Sequence, residues 1–291
     1  MNYLKLIRVN HWIKNSFILL PLFFSGELFF HNKFLITLIV IIGFSFVTSF
    51  VYIMNDIYDV EFDKNHQEKK HRPIPSGEIS IKNSLIIGIS LFSFGMFLIW
   101  KVSVFSFLLT LIYFGINFFY SYKLKHIPII DFVIISLGFV LRILIGGEVG
   151  NIELSQWIIV MVFLLSLFIA VSKRRDDVFQ FEFNDKINRK VVNKYTVDFM
   201  DKLITIISSS LLVSYLLFIT SESVIEKYPS KYLIVSFLFV LIGVFRYNQI
   251  TYVYNKSGSP LNILYKDKFL QITLLLWVLH FFSIIYYKIF W

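Results

Sequence analysis

Asp56, Asp59 and Asp63 stand three and four residues apart in NDIYDVEFDKNHQEKKHRPIPSG, the stretch from Asn55 to Gly77. On a helix carried through them, that spacing turns all three carboxylates to one face. Like charges so placed repel, and their natural partner is a cation. An oxygen-only set suits Mg2+, which commonly takes one or two carboxylates together with substrate phosphate oxygens and water. Asn55 adds an amide at the start of the cluster. Lys69, Lys70 and Arg72 follow, with charge-assisted donors for anionic oxygens. Pro73, Pro75 and Gly77 then end any helix and shape a tight loop. Acids for a metal and bases for phosphate, within one short segment, are the parts that diphosphate binding requires. The bland alternative is a helix end with solvated charges.

What must position this segment is a membrane. The chain has 291 residues, 57% hydrophobic and only 16% charged, with 34 Phe and a mean hydropathy of +0.71. Apolar runs of about 18 residues or more recur, which is the length of a bilayer-crossing helix. Nine spans fit them, at roughly 16–31, 34–54, 83–100, 102–120, 129–147, 155–172, 203–220, 231–246 and 270–288. The expectation is an all-α polytopic membrane protein, a single integral membrane domain over 1–291. No small-residue cleavage site follows Lys5, Arg8 and Lys14, so the first run reads as a retained span. The absence of cysteine excludes disulfides and thiolate metal sites. No nucleic-acid partner is called for.

Sorting the charges by side sharpens the picture. The side that holds the N-terminus collects most of the 28 Lys and Arg, from Lys5 through Lys186, Arg189 and Lys190 to Lys268. The other side holds Lys33, Lys101, Lys227, Lys231 and Lys288. By the positive-inside rule the first side is the cytoplasm, and an odd span count puts Trp291 outside. Acids, His and Asn gather on the same cytoplasmic face, where the chemistry is therefore expected. Tyr122, Lys123 and Lys125 cap the fourth span there, as phosphate donors or as side chains snorkelling to headgroups. The run Lys173, Arg174, Arg175 suits a sugar phosphate or lipid phosphate. Arg142 lies inside a span, where a charge facing lipid costs several kcal/mol; its planar fork suits phosphate oxygens. Asp131 is the nearest acid on that span, but eleven residues, ~16 Å of helix rise, are too many for a direct pair.

The sequence resembles the UbiA-type intramembrane prenyltransferases. NDIYDVEFD is similar to their NDxxDxxxD signature and HRPIPSG to the segment that follows it. Within that superfamily, RVNHWIKNSFILLPLFFSGELF resembles the N-terminal RPxxWxKNxxxxxPLxFSG of the polyprenyl-phosphate phosphoribosyltransferases. YSYKLKHIPIIDFVIISLGFVLRILIGG, SKRRDDV and NKYTVDFMDKL resemble further segments of the same proteins, in the same order over most of the chain. The match loosens between Ser257 and Asn262.

The resemblance implies a UbiA-like bundle of nine transmembrane helices with cytoplasmic capping loops. It implies transfer of 5-phosphoribose from phosphoribosyl diphosphate to a polyprenyl phosphate, releasing diphosphate, in the supply of cell-envelope polysaccharide precursors. Mg2+ and the diphosphate would meet Asp56, Asp59 and Asp63, with Asn55 beside them. Lys14 and Asn15 match the family's KN pair at a substrate phosphate, and Asp177 matches the single acid after its basic run. A homo-oligomer in the cell (inner) membrane is compatible with the resemblance. The competing reaction moves a prenyl group from a prenyl diphosphate to an aromatic acceptor and commonly shows a second acidic motif. Here that motif is incomplete, because Phe181 stands where its second acid belongs. A transporter would show Gly/Pro-broken spans at matched places in two halves, and none is visible.

Overall fold

The apolar runs fold into helices because a bilayer leaves backbone polar groups no partner outside their own segment. The computed structural model describes residues 2–65, 69–184, 191–228 and 231–290, and among them secondary structure is helical. Lys186, Arg189, Lys190 and Trp291 lie outside the described residues. The long helices are α1 (His31–Tyr58), α2 (Ile81–Val102), α3 (Val104–Tyr122), α4 (Ile130–Gly150), α5 (Gln156–Asn184), α6 (Val197–Ile219), α7 (Ser236–Tyr252) and α8 (Lys268–Phe290). Side-chain caps fix three of their starts. Ser80 accepts from the Asn83 amide, Ser103 from Ser106 and Thr196 from Phe199.

Eight helices among the described residues are long and apolar enough to cross a membrane, where the sequence led us to expect nine. The difference lies in the first run. Residues 16–31 are not one helix: a 3-10 helix, Val9–Leu19, passes into a single short α-helix, Leu20–Ser25, which Gly26 ends at φ 83°. Pro21 in the first turn of that short helix suits a helix start rather than a helix interior.

The chain divides into two compact units. The first comprises Met1–Lys125 and Gly138–Leu154. Its helices α1 and α2 pack closely enough that a methyl on Gly95 would lie 2.4 Å from the Gly43 carbonyl oxygen. Ile18, Phe44, Tyr113 and Ile145 are central to its core. The second comprises His126–Leu137 and Ser155–Trp291. There α5 packs on α6 and α7 on α8, around Phe168, Val171, Met200 and Ile204.

Within the first unit the 3-10 helix lies directly on α4. A Cβ on Gly146 would meet the Ile18 carbonyl oxygen at 2.1 Å, a backbone atom that cannot turn away. Gly146→Ala is therefore expected to destabilise the protein by about 1–3 kcal/mol and to displace the segment carrying Lys14 and Asn15. Thermal melts in detergent check this, with Gly115→Ala as control, since a methyl there meets nothing within 4 Å.

Candidate active site

In the first unit the acids fall at a break in the helix. α1 ends at Tyr58, Asp59 takes φ −94° and ψ 4°, and a new short helix runs Val60–Lys64. The single face expected for three carboxylates requires an unbroken helix, and the break divides them. Asp56 and Asp63 converge: one Arg72 nitrogen, Nη1, donates to Asp56 Oδ1 at 2.9 Å and to Asp63 Oδ2 at 2.6 Å. Asp59 is turned instead to Lys125, whose ammonium donates to Oδ1, while Asn55 Nδ2 donates to Oδ2 at 3.2 Å.

Arg72 reaches back to acids so far up the chain because its loop is anchored. Ile74 and Ile79 are buried with Leu6 and Ile53, and the Ile79 amide donates to the Pro73 carbonyl at 2.9 Å. Gly77, at φ 79°, makes the turn between them. Lys69 lies 4.0 Å from Asp63, whereas Lys70 is exposed.

In the sequence Arg8 is one positive-inside charge among many, yet it completes the cluster. It donates to Asp56 Oδ1 and lies 4.9 Å over the Tyr52 ring. Its backbone is left-handed at φ 52°, a conformation costing on the order of 1 kcal/mol for a residue with a Cβ. The available signal was its place at the head of RVNHWIKN. Four cations thus face three carboxylates, and Asp56 and Asp63 are almost fully buried. Burial, and then the neighbouring Arg8, lower the Arg72 pKa from its usual value, against the pull of Asp56 and Asp63.

Further along α1 the site continues as a polar column. Asn15 Nδ2 donates to Ser45 Oγ at 2.8 Å, and Asn15 Oδ1 accepts from Arg142 Nε at 3.0 Å. Arg142 also donates to the Gly138 carbonyl at 2.7 Å and to the Tyr113 hydroxyl at 3.2 Å. Lys14 is half-buried, and its ammonium is pulled down to about 8 by burial, then by the charges of Arg142 and Arg8. Lys125 is buried on Asp59 rather than snorkelling, while Tyr122 and Lys123 are exposed.

The second unit holds the other basic run, and acids occupy it. Arg174 Nε donates to Asp131 Oδ2 at 2.8 Å and Nη1 to Asp177 Oδ2 at 2.6 Å. Arg175 Nε donates to Asp201 Oδ1 at 2.9 Å and Nη1 to Asn255. Lys173 is exposed. Arg174 thus pairs with Asp131 and Asp177, and Arg175 with Asp201.

Asp56 and Asp63 fit a hard divalent cation: two buried carboxylates of an all-oxygen set meet at one point, which a guanidinium nitrogen fills. Among the described residues no group of three acids or histidines converges ready-made, because Asp59 faces away. The remaining ligands would come from substrate oxygens and water.

A multi-pass helical membrane protein with buried carboxylates and bases at a helix end is the class that fold and site define. The chain belongs to the UbiA prenyltransferase family, matched over residues 16–271. It is 29% identical to decaprenyl-phosphate phosphoribosyltransferase of Corynebacterium glutamicum over 279 residues, 94% of this chain and 84% of that one. It is 27% identical to the protein of the same name from Mycolicibacterium smegmatis, covering 94% and 89%. Its fold is similar to that of a UbiA homolog from Archaeoglobus fulgidus bound to GPP and Mg2+, with a TM-score of 0.72 at 19% identity over 98% and 99% of the two chains.

Proposed function

We propose that the protein transfers 5-phosphoribose from phosphoribosyl diphosphate to a polyprenyl phosphate. The observation that carries this reading is the convergence of Asp56 and Asp63 on Arg8, Arg72 and Lys69, with Lys125 on Asp59 beside them. It is supported by the relatives named for decaprenyl-phosphate phosphoribosyl transfer. Asp56 and Asp63, joined by Asp59 once it leaves Lys125, would hold Mg2+. Bound there, the ion neutralises charge that builds on the departing diphosphate. Arg8, Arg72, Lys69 and Lys125 exchange carboxylate partners for diphosphate oxygens.

The acceptor phosphate is ionised at neutral pH and needs no strong general base. One of its oxygens forms the bond to the anomeric carbon as the bond to diphosphate breaks, the electron pair leaving with diphosphate. Preorganised cations stabilise that charge without reorganising at the moment of reaction. The reaction belongs to the positively charged, cytoplasmic face of a cell membrane, with product serving cell-envelope polysaccharide synthesis.

The test uses purified protein in nanodiscs with Mg2+, phosphoribosyl diphosphate and a polyprenyl phosphate. Diphosphate release that requires the lipid, with a phosphoribosylated lipid as product and loss of both in EDTA, is the expected result. If nothing forms from this pair while a prenyl diphosphate and an aromatic acceptor react, the competing family reaction holds.

A pH dependence follows from Lys14. Below about pH 8 its ammonium is charged and attracts substrate anion; above, it loses the proton. KM for the anionic substrate that meets Lys14 should therefore rise ~10-fold between pH 7 and pH 9. Lys14→Arg should flatten that limb, because arginine stays charged throughout. A KM profile unchanged by this substitution would exclude Lys14 from binding.

A further inference from the structure

We infer that Lys14 and Arg142 form the seat of the acceptor's phosphate monoester, separate from the acidic cluster that takes the diphosphate. The inference rests on the transfer reading above and adds which substrate goes where. Its starting point is a charge without a counter-charge. Arg142 is 4% exposed, yet among the described residues no carboxylate lies within ion-pair distance of it. Arg174 and Arg175, equally buried, each meet an acid. The partners of Arg142 are all neutral: Asn15 Oδ1, the Gly138 carbonyl and the Tyr113 hydroxyl. Those bonds use three N–H groups of a fork that has five. Phe44, Tyr113 and Phe139 surround its plane, with ring centres at 5.0, 4.9 and 5.2 Å. Aromatic rings temper a buried cation but do not neutralise it.

Lys14, next in sequence to Asn15, adds a second cation, and the charges acting on it are the positive ones of Arg142 and Arg8. Among the described residues no acid pairs with either cation, and a phosphate monoester supplies two charges and three oxygens for the guanidinium fork.

Position along the helix selects the acceptor. Asn15, which holds Arg142, donates to Ser45 and, at 3.4 Å, to Thr48. These residues precede Asp56 by eleven and eight positions, about 12–17 Å of helix rise toward the middle of α1. A water-soluble donor arriving from the loop face meets Arg72 and Asp56 first, and its diphosphate stays there. An anion carrying an apolar tail is the one suited to a seat among apolar helices. The acceptor oxygen would attack the anomeric carbon from the Arg142 side while diphosphate departs toward Arg72.

The experiment measures binding without turnover, using farnesyl phosphate, inorganic phosphate and Mg2+-diphosphate on the full chain in nanodiscs. Arg142→Gln should weaken farnesyl phosphate at least ~30-fold and Lys14→Gln ~10-fold, each leaving Mg2+-diphosphate affinity within about threefold. Asp63→Asn should show the reverse pattern. Arg142→Lys keeps the charge but loses the fork, and should weaken farnesyl phosphate by an intermediate factor; it serves if the Gln variant does not fold. Unchanged farnesyl phosphate affinity in both Arg142 variants overturns the seat, as does equal loss of both ligands in a folded variant. Inorganic phosphate competing as strongly as farnesyl phosphate overturns the lipid assignment. Wild-type protein that binds farnesyl phosphate through Arg142, yet forms no phosphoribosyl lipid, defeats the transfer reading and leaves the anion seat standing. Lipid product made with Arg142 dispensable for acceptor binding does the opposite.

Discussion

Asp63→Asn is expected to lower kcat/KM ~10^3-fold while the protein stays folded. The substitution keeps the shape of a buried side chain that accepts from Arg72 at 2.6 Å, while it removes the charge and turns one acceptor oxygen into a donor amide. Loss of one preorganised charge in a site shielded from water typically costs 10^2 to 10^3 in rate, and loss of an all-oxygen metal ligand adds to it. Asp56→Asn should fall as far, because Asp56 is the meeting point of Arg8 and Arg72. The two acids and Arg72 act as one unit, so their effects should not add. Arg72→Gln combined with Asp63→Asn should cost little more than the worse single change, a coupling that a double-mutant cycle reads directly. Mn2+ binding followed by electron paramagnetic resonance separates the contributions: Asp63→Asn weakens it, whereas Arg72→Gln, which removes the competing cation, strengthens it. Full activity in Asp63→Asn would end the proposed metal role.

The same residues show what a sequence can and cannot reveal. Composition alone dictates helices in a membrane, because run length and hydropathy are one-dimensional properties. Asp56 and Asp63 with Lys69 and Arg72 were also legible, since their chemistry lies within 17 residues of chain. The Lys125 partner of Asp59 was not legible, because a spacing rule assumes a continuous helix and the helix stops one residue earlier. The first run does not form one long helix for a similar reason: hydropathy does not register the change from 3-10 to α-helix around Leu19 and Leu20. Arg8 was hidden among ordinary positive-inside charges; only the fold brings it 48 positions along the chain to Asp56. Arg142 was legible as an anomaly, a charge in a span, but the aromatic rings that enclose it come from three separate segments.

Arg174 and Asp131 were hidden by the same long-range pairing, and they carry the second large prediction. Asp131→Ala is expected to destabilise the protein by about 3 kcal/mol or more, since removing one partner strands a buried charge. Asp131 is fully buried and serves two donors: Arg174 Nε at 2.8 Å and the Tyr195 hydroxyl at 2.7 Å. Tyr195 in turn accepts from the Ile129 amide at 2.6 Å, and Ile129 holds a left-handed φ of 70°, a costly conformation for a β-branched residue. One carboxylate therefore fixes the turn into α4 as well as the start of the basic run in α5. Its loss should lower Tm by ~5–10 °C. Arg174 keeps Asp177, which places the effect toward the lower end of the range for broken buried pairs. The paired change Asp131→Leu with Arg174→Met removes both charges at once and should recover most of the lost stability. If the double variant instead melts lower than either single one, the ion pair is itself stabilising and not merely a charge that needs a partner. Recovery of stability together with acceptor binding would mark Arg174 as a structural residue, leaving phosphate recognition to Lys14, Arg142 and the cluster around Arg72.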